Sequence, residues 1–423
     1  MKVLIISHNP IVTYQNMGKT MLSLFSAMKK EDMCQVYIYP SVPDVDKCVS
    51  YYRVTDKDVL SSFYRFKVNG HKVQPDLSVS QMFENDKDEQ LYRNPKNSSA
   101  LRRVGRDLIW KMAHWYNKSL KQWIDEQAPT HIFVAPGTAK FLYDMALKIS
   151  KDRNIPIITY VCDDYYFVNP EKAFFARLRQ KSLHKKIEKL MTRSKLIITI
   201  CKSLEEGYSA KFGVPAVTVM TGSNYPIEKE IKSGDNLTTM RYMGNIRCSR
   251  YVSLAEIGRA LDKINAEEGT NYSLEIYSGE KDQGILSSFD GIKSVKLCGY
   301  VGGEAFDKTF KESQMLIHTE AFDADSIDLV KNSVSTKIAD SLGSGIPFFA
   351  YGPSVVASMR HLIDNDCAMV VSNKEDLENG LKKAFLNREY RLEKTKKGLE
   401  VASQYHDTQL VSEKILEIFE SIN

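Results

Sequence analysis

No apolar run in this chain approaches the roughly 20 residues that a bilayer-spanning helix needs. A membrane-spanning protein is therefore not expected. The opening run, Met1-Lys2-Val3-Leu4-Ile5-Ile6-Ser7, is short and strand-like, without the length or cleavage-site chemistry of a signal peptide. Cysteine is sparse and scattered: Cys34, Cys48, Cys162, Cys201, Cys248, Cys298 and Cys367 include no C-x-x-C pair. This spacing argues against a disulfide framework and a zinc site, and it fits a reducing compartment. A cytoplasmic protein without a bound metal is the expectation. No G-x-G-x-x-G follows a strand-like run, so the usual nicotinamide or flavin fingerprint of an oxidoreductase is missing. Gly18-Lys19-Thr20 imitates the tail of a P-loop. Thr13, however, stands where that motif requires glycine, which excludes a Walker site.

What is present suits a soluble enzyme. A chain of 423 residues is too long for one core, and two or three domains are expected. Its 43% hydrophobic and 26% charged content is ordinary for globular proteins. The net charge of +5 hides an asymmetry. Residues 1–220 carry 34 Lys and Arg against 22 Asp and Glu, a net of +12. Residues 221–423 carry 24 against 31, a net of −7. Opposite charge in the two halves suggests two domains with different partners.

Apolar runs alternate with helical patterns almost throughout, which predicts parallel sheets built from strand-helix units. In the first half, strands are predicted over 2–7, 35–39, 131–135, 156–162, 196–200 and 216–220. In the second half they are predicted over 240–243, 273–277, 295–298, 315–318, 348–350 and 368–371. Residues 221–239 contain Gly222, Asn224, Pro226, Ser233, Gly234, Asp235 and Asn236 and predict a linker.

The richest stretch runs from His318 to Pro353. Glu320 follows the apolar run Met315-Leu316-Ile317. Ser333-Val334-Ser335-Thr336-Lys337 then predicts a hydroxyl-rich helix start, with Asp340 one turn inside and Gly343, Gly345 and Pro347 ending the helix. A strand, a polar loop and a helix N-terminus in that order form an anion site, because free N–H groups and the helix dipole both favour phosphate. A carboxylate on each side can accept from sugar hydroxyls. Nucleotide-sugar diphosphate is the ligand this combination suggests. A second candidate is Met243-Gly244-Asn245-Ile246-Arg247-Cys248-Ser249-Arg250, where a strand ends in glycine and a cation follows six residues on. Arg250 is the first choice for a diphosphate contact and Arg247 the second, since guanidinium binds phosphate oxygens bidentately. On the bland readings, Arg250 is a surface arginine, Lys337 a solvated lysine beside a helix cap and Asp340 a helix-surface acid.

These motifs resemble the donor site of retaining glycosyltransferases of family 4. Glu320-Ala321-Phe322 is similar to the family's "E-G-F", and Asp340-Ser341-Leu342-Gly343-Ser344-Gly345-Ile346-Pro347 to its "E-A-M-A-x-G-x-P". A bacterial surface-polysaccharide branch reading "E-S-F-D … S-T-K-I … D-Y-L-A-S-G-x-P" is closer still. Two departures stand out: nineteen residues separate the acids where the family has seven, and the second acid is Asp. Gly244 and Arg250 match the family's "G-R-L-x-x-x-K", with Asn245 and Arg250 replacing its Arg and Lys. Cys298-Gly299-Tyr300-Val301 resembles its "G-x-V" turn against the nucleobase. Asp163-Asp164 occupies the place of its "H-D" pair.

The resemblance implies the GT-B fold: an α/β protein with two doubly wound Rossmann-like domains facing each other across a cleft. It implies an N-terminal acceptor-side domain (1–225), a C-terminal nucleotide-sugar domain (226–405) and a final helix (406–423) crossing back. By the same resemblance, catalysis falls to Glu320, Arg250, Lys337 and Asp163. Donor contacts fall to Gly244, Asn245, Arg247, Gly299, Tyr300, Val301, Ser335, Thr336 and Asp340, with Glu320 on the sugar and Asp340 on the ribose. Asn16, Gly18 and Asp164 would line the acceptor side. No cofactor beyond the donor, and no metal, is implied. The activity is transfer of a sugar from a nucleoside-diphosphate sugar to a glycan or lipid-linked acceptor, in capsule, exopolysaccharide or lipopolysaccharide synthesis. A nucleotide-sugar epimerase and a non-enzymatic partner subunit of the same fold are the alternatives.

One further expectation is independent of these motifs. Trp110, Trp115 and Trp123 are all the tryptophans, and they share a segment with Arg102, Arg103, Arg106, Lys111, Lys118 and Lys121. Residues 171–195 hold nine Lys or Arg against two Glu, interleaved with Phe174, Phe175, Leu178, Leu183, Ile187, Leu190 and Met191. Basic amphipathic helices with aromatics lie on anionic lipid, so peripheral contact with the inner face of a plasma membrane is expected. Core packing of the helically spaced residues is the plain alternative. No nucleic-acid motif accompanies the charge.

Overall fold

A computed structural model describes residues 1–13, 16–65, 70–77, 100–232 and 236–422. The chain divides into two compact units. One comprises Met1–Thr221 together with the C-terminal segment from Thr408, and the other Gly222–Asp407.

The first unit is built on an eight-stranded sheet of order β4-β3-β2-β1-β5-β6-β7-β8. Its strands are β1 (Val3–Ser7), β2 (Met33–Tyr37), β3 (Ser50–Arg53), β4 (His71–Val73), β5 (His131–Ala135), β6 (Ile157–Val161), β7 (Ser194–Thr199) and β8 (Ala216–Thr218). The central strands β1, β2, β5 and β6 are buried at every position, as expected where helices cover both faces of a parallel sheet. Sequence periodicity missed β3 and β4. Both are short, and β4 pairs antiparallel with β3 at the sheet edge. The C-terminal helix, Thr408–Ser421, is part of this unit: Phe419 packs on Phe25 and Phe133, and the carbonyl of Ile422 lies 2.6 Å from Nε2 of His131.

The second unit carries six strands in the order β11-β10-β9-β12-β13-β14. They are β9 (Thr239–Met243), β10 (Ser273–Tyr277), β11 (Val295–Gly299), β12 (Met315–Thr319), β13 (Phe348–Tyr351) and β14 (Met369–Val371). All are parallel. The chain winds outward from β9 to β11, then returns to β12 on the other side of β9. Between β9 and β12 the connections leave in opposite directions. That crevice, at the carboxyl ends of the strands, is where open α/β sheets bind ligands. The chain thus has two doubly wound, parallel-sheet Rossmann-like units.

The tryptophan part of the membrane expectation is corrected here. Trp110 is 1% exposed, Trp115 8% and Trp123 1%. Trp110 stacks on Phe141 with ring centroids 4.0 Å apart and donates to Asp56 Oδ1 at 2.6 Å. Trp123 donates to Ser50 Oγ at 2.8 Å. Their large apolar rings fill the core, and each indole N–H in these two pairs finds a half-buried acceptor. None of the three reaches a membrane. No helix among the described residues is long and apolar enough to cross one.

Candidate functional site

Residues that follow two strand ends of the second unit, β9 and β12, converge at its switch point. β9 ends at Met243, and Gly244 turns the chain, its amide donating to Tyr277 O at 2.9 Å. The loop leads to Arg250, first residue of the helix Arg250–Glu268. Before it, Cys248 and Ser249 adopt φ of 54° and 55°, a left-handed conformation unusual for residues with a Cβ. Such strain is typically held at functional sites by its surroundings. Here the Ser249 hydroxyl bonds Asp323, whose carboxylate also caps the helix Ala324–Val330 by accepting from Ser326 N at 2.9 Å.

β12 delivers Glu320 from the neighbouring strand. Its carboxylate is buried and receives both arms of Arg250: Nε donates to Oε2 at 2.9 Å and an Nη to Oε1 at 3.1 Å. His318, two residues earlier on the same face of β12, places Nε2 3.3 Å from Oε1. Burial pushes the Glu320 carboxyl up, and the bonds from His318 and Arg250 more than offset it, so its pKa lies below the ordinary value. Ser253 Oγ donates to the Glu320 carbonyl at 2.9 Å, locking that backbone to the Arg250 helix. The two residues that sequence reading set on sugar and on phosphate are therefore partners in the ligand-free protein. The fork to Glu320 uses two of the guanidinium's five N–H donors and leaves the others for a phosphate.

The same connection from β12 continues through Ala324–Val330 to the helix Thr336–Gly343, which leads into β13. Lys337 in its first turn reaches across to β9. Its Nζ lies 5.9 Å from the centroid of the buried Tyr242 ring and directly over Gly244. Lys337 is an exposed residue, yet protein crowds its amine, and the amine's surroundings govern its proton affinity. Desolvation first, and the Arg250 cation second, pull its pKa down to about 8. Asp340 and Glu320 pull the other way but offset only part of this.

Gly244 is required by this arrangement, because a Cβ there would overlap Lys337 Nζ. The obstacle is the tip of a flexible side chain, but Gly244 also holds φ +159°, a conformation that residues with a Cβ rarely adopt, so Gly244→Ala is expected both to displace the amine and to strain the turn. A stability loss of about 1–3 kcal/mol, with nucleotide affinity lowered by about tenfold, is the expected pair of results. Calorimetric titration beside a melting curve checks both.

The remaining sequence candidates divide. Thr336 and Lys337 open their helix, and among the described residues nothing accepts from their amides. Ser335 precedes them without capping the helix, and its own N–H donates to Ser358 Oγ at 3.1 Å. Ser335 therefore has no amide to offer a phosphate. Gly299 turns with φ +75° after β11, Val301 packs into the core, and Tyr300 stands 81% exposed between Gly279 and Gly302. Asn245 accepts from the Arg247 amide at 2.8 Å and shapes the turn. Arg247 forks onto Glu280 at 2.6 and 3.1 Å, as Arg250 does onto Glu320, but its side chain is largely exposed. Glu280 is held down to about 2, chiefly by that hydrogen bond.

Asp340 also differs from its assigned role. It is buried and accepts from Asn224 N at 2.7 Å, from Asn224 Nδ2 at 3.0 and 3.2 Å and from Ser223 Oγ at 3.2 Å. Its acceptor capacity pins the start of this unit to the Lys337 helix, and ribose would have to compete with those bonds. The nineteen-residue spacing between Glu320 and Asp340 is explained too: the loop contains the additional helix Ala324–Val330.

In the first unit, Asp163 follows β6 and accepts from Tyr165 OH at 3.2 Å. Asp164 shapes the turn that follows: its Oδ1 takes the amides of Tyr166 and Phe167, each at 2.9 Å. Gly18 is a packing glycine, since a Cβ would lie 2.5 Å from Val12 Cγ2 and 2.8 Å from Val12 backbone. The Asn16 side chain lies outside the described residues, as does 233–235 of the linker. Sequence reading missed Tyr242, His318 and Ser253. Alternation along β9 and β12 placed the first two on the site-facing side of their strands, a usable signal; Ser253 gave none.

Comparison with solved structures places this architecture. HepE of Anabaena in complex with UDP matches with a TM-score of 0.65 at 10% identity, covering 100% of both chains. The UDP-forming α,α-trehalose-phosphate synthase of Burkholderia vietnamiensis gives 0.63 at 11% identity, also over 100% of both. Sucrose-phosphate synthase of Thermosynechococcus elongatus gives 0.61 at 10% identity over 99% of this chain and 98% of that one. No protein-family model and no curated protein sequence matches the chain. The fold is GT-B, an architecture shared with these enzymes.

Proposed function

We propose that this protein is a glycosyltransferase that takes a sugar from a nucleoside-diphosphate sugar bound on the Gly222–Asp407 unit. The observation that carries the reading is the meeting of Arg250, Glu320 and Lys337 at the switch point between β9 and β12. Two cations and the Thr336 and Lys337 amides suit a diphosphate. The buried carboxylate, acceptor-only when ionised, suits the hydroxyls of the sugar. Uridine is the favoured base, because structures sharing the fold include HepE with UDP and with UDP-glucose. The exposed Tyr300 ring offers a platform on which such a base can stack.

In the proposed reaction, cleavage of the anomeric C–O bond leaves oxocarbenium character on the sugar and new negative charge on the departing phosphate. Arg250 and Lys337 neutralise that charge. Glu320, oriented by Arg250, holds the sugar. The family resemblance favours retention, with the leaving phosphate accepting the acceptor's proton, and an acceptor in a bacterial surface glycan.

The test is thermal stabilisation by UDP, GDP, ADP and CMP, on wild type and on Lys337→Ala. A ligand at about 100 times its Kd stabilises by roughly 2.7 kcal/mol. A shift with UDP in wild type, much reduced in the variant, is expected. No shift with any nucleotide would overturn the reading.

A further inference from the structure

The basic helices of the first unit divide into core-facing and outward-facing parts. In the helix Phe174–Met191, the residues Leu183, Ile187, Leu190 and Met191 are buried and complete the core. Phe174 and Phe175, 69% and 51% exposed, do not, and neither does Leu178 one turn on. They are the two most exposed phenylalanines among the described residues. The helix Ala100–Met112 lies alongside, joined by Arg179 Nε to Asp107 Oδ2 at 3.0 Å. Leu108 adjoins that ion pair, and Met112 follows one turn later; both are exposed. Leu178 adjoins Arg179 on the facing helix. The segment leading into the Phe pair is held in place: Glu171 N donates to Gln180 Oε1 at 2.8 Å, and Gln180 Nε2 to Asn169 O at 3.0 Å. The aromatic pair therefore projects from a fixed support.

The exposed charged residues around this apolar group are mostly basic, with Glu171 the exposed acid beside them. Lys111, Lys172, Arg177, Lys181 and Lys185 are all exposed on these helices and the segment before the second. We propose that this face is a docking surface for an anionic lipid bilayer. The two phenylalanines, in contact with each other, insert at the depth of the headgroups together with Leu178, one turn on along the same helix. The surrounding lysines and arginine meet the lipid phosphates. Charge complementarity selects this occupant: an apolar contact within a protein pair is depleted of lysine, whereas a surface for anionic lipid is ringed by it. The inference does not depend on the donor site.

Co-sedimentation of the full chain with vesicles of equal parts phosphatidylcholine and phosphatidylglycerol tests it, beside vesicles of phosphatidylcholine alone. Binding to the anionic vesicles only, weakened as salt is raised, is expected. The double variant Phe174→Ser/Phe175→Ser should lose about tenfold or more of that binding. Its melting temperature and its UDP-induced shift should stay as in wild type, which separates this result from failure of the donor-site reading. Because both side chains are exposed, the variant is expected to fold. Absence of wild-type binding to anionic vesicles would overturn the proposal and leave the face to a protein partner, as would equal binding by the double variant.

Discussion

Arg250→Ala should destabilise the second unit by about 3–5 kcal/mol, the usual cost of removing one partner from a buried ion pair. The reason is Glu320. Its carboxylate is buried and takes two hydrogen bonds from the guanidinium, with His318 beside it. Without Arg250 it is a buried charge short of its main partner, and it must take up a proton or admit water. At roughly 2–4 °C per kcal/mol for a unit of this size, melting should fall by about 6–20 °C. Removing both charges at once should behave differently. Arg250→Met combined with Glu320→Gln replaces the pair with groups of similar shape and no net charge, and most of the lost stability should return. The double-mutant cycle therefore separates a structural pair from two independent ligand contacts. Additive effects of the two single variants would refute the coupling. The pH dependence has a definite sign. The Glu320 carboxyl titrates below its unfolded value, so its contribution is complete at neutral pH and is lost as pH falls through the folded value.

This pairing also shows where sequence reading stops. The strands that carry the site were legible because parallel strands buried on both faces read as apolar runs, as in β12 and β13. Gly244, Glu320 and Lys337 were legible because each sits at a strand end or helix start with a distinctive neighbour. Their partners were not legible. Arg250 and Glu320 lie 70 residues apart, and Asp340 lies 117 from Ser223, distances over which local periodicity carries no information. Asp340 and Asp164 have the residue type for sugar binding, yet Asp340 accepts from the backbone and side chain of Asn224 and from Ser223 Oγ, and Asp164 from two backbone amides. The tryptophans misled for a similar reason. A basic, aromatic-rich helix has the same composition whether its aromatic face meets core or lipid, and only burial divides Trp110 from Phe174.

Lys337→Ala should weaken UDP binding by about 10–150-fold, the equivalent of one charge-assisted hydrogen bond of roughly 1.5–3 kcal/mol. The same lysine makes wild-type affinity depend on pH. Desolvation and the neighbouring Arg250 draw the free amine down to about 8, well below its value in the unfolded chain. A bound diphosphate brings negative charge to the amine and raises its pKa, so the complex holds a proton that the free protein gives up. Binding is therefore full below about 8 and falls as pH rises through that value, by at most tenfold per unit. The terminal phosphate of UDP, with a pKa near 6, has finished titrating above about pH 7 and does not confuse the trend. Lys337→Arg stays charged throughout, so its affinity should be flat where wild type declines. Isothermal titration of UDP at about pH 7, 8 and 9 makes the comparison. A flat wild-type profile would show that the amine does not meet the phosphate. The free protein's own pH response runs the opposite way: with a folded pKa below the unfolded one, folding gains stability as pH rises between the two values. The uncomplexed site therefore holds its lysine's charge at a cost at neutral pH, and an incoming diphosphate relieves it. That relief favours the negatively charged donor over a neutral sugar before any contact to the base is made.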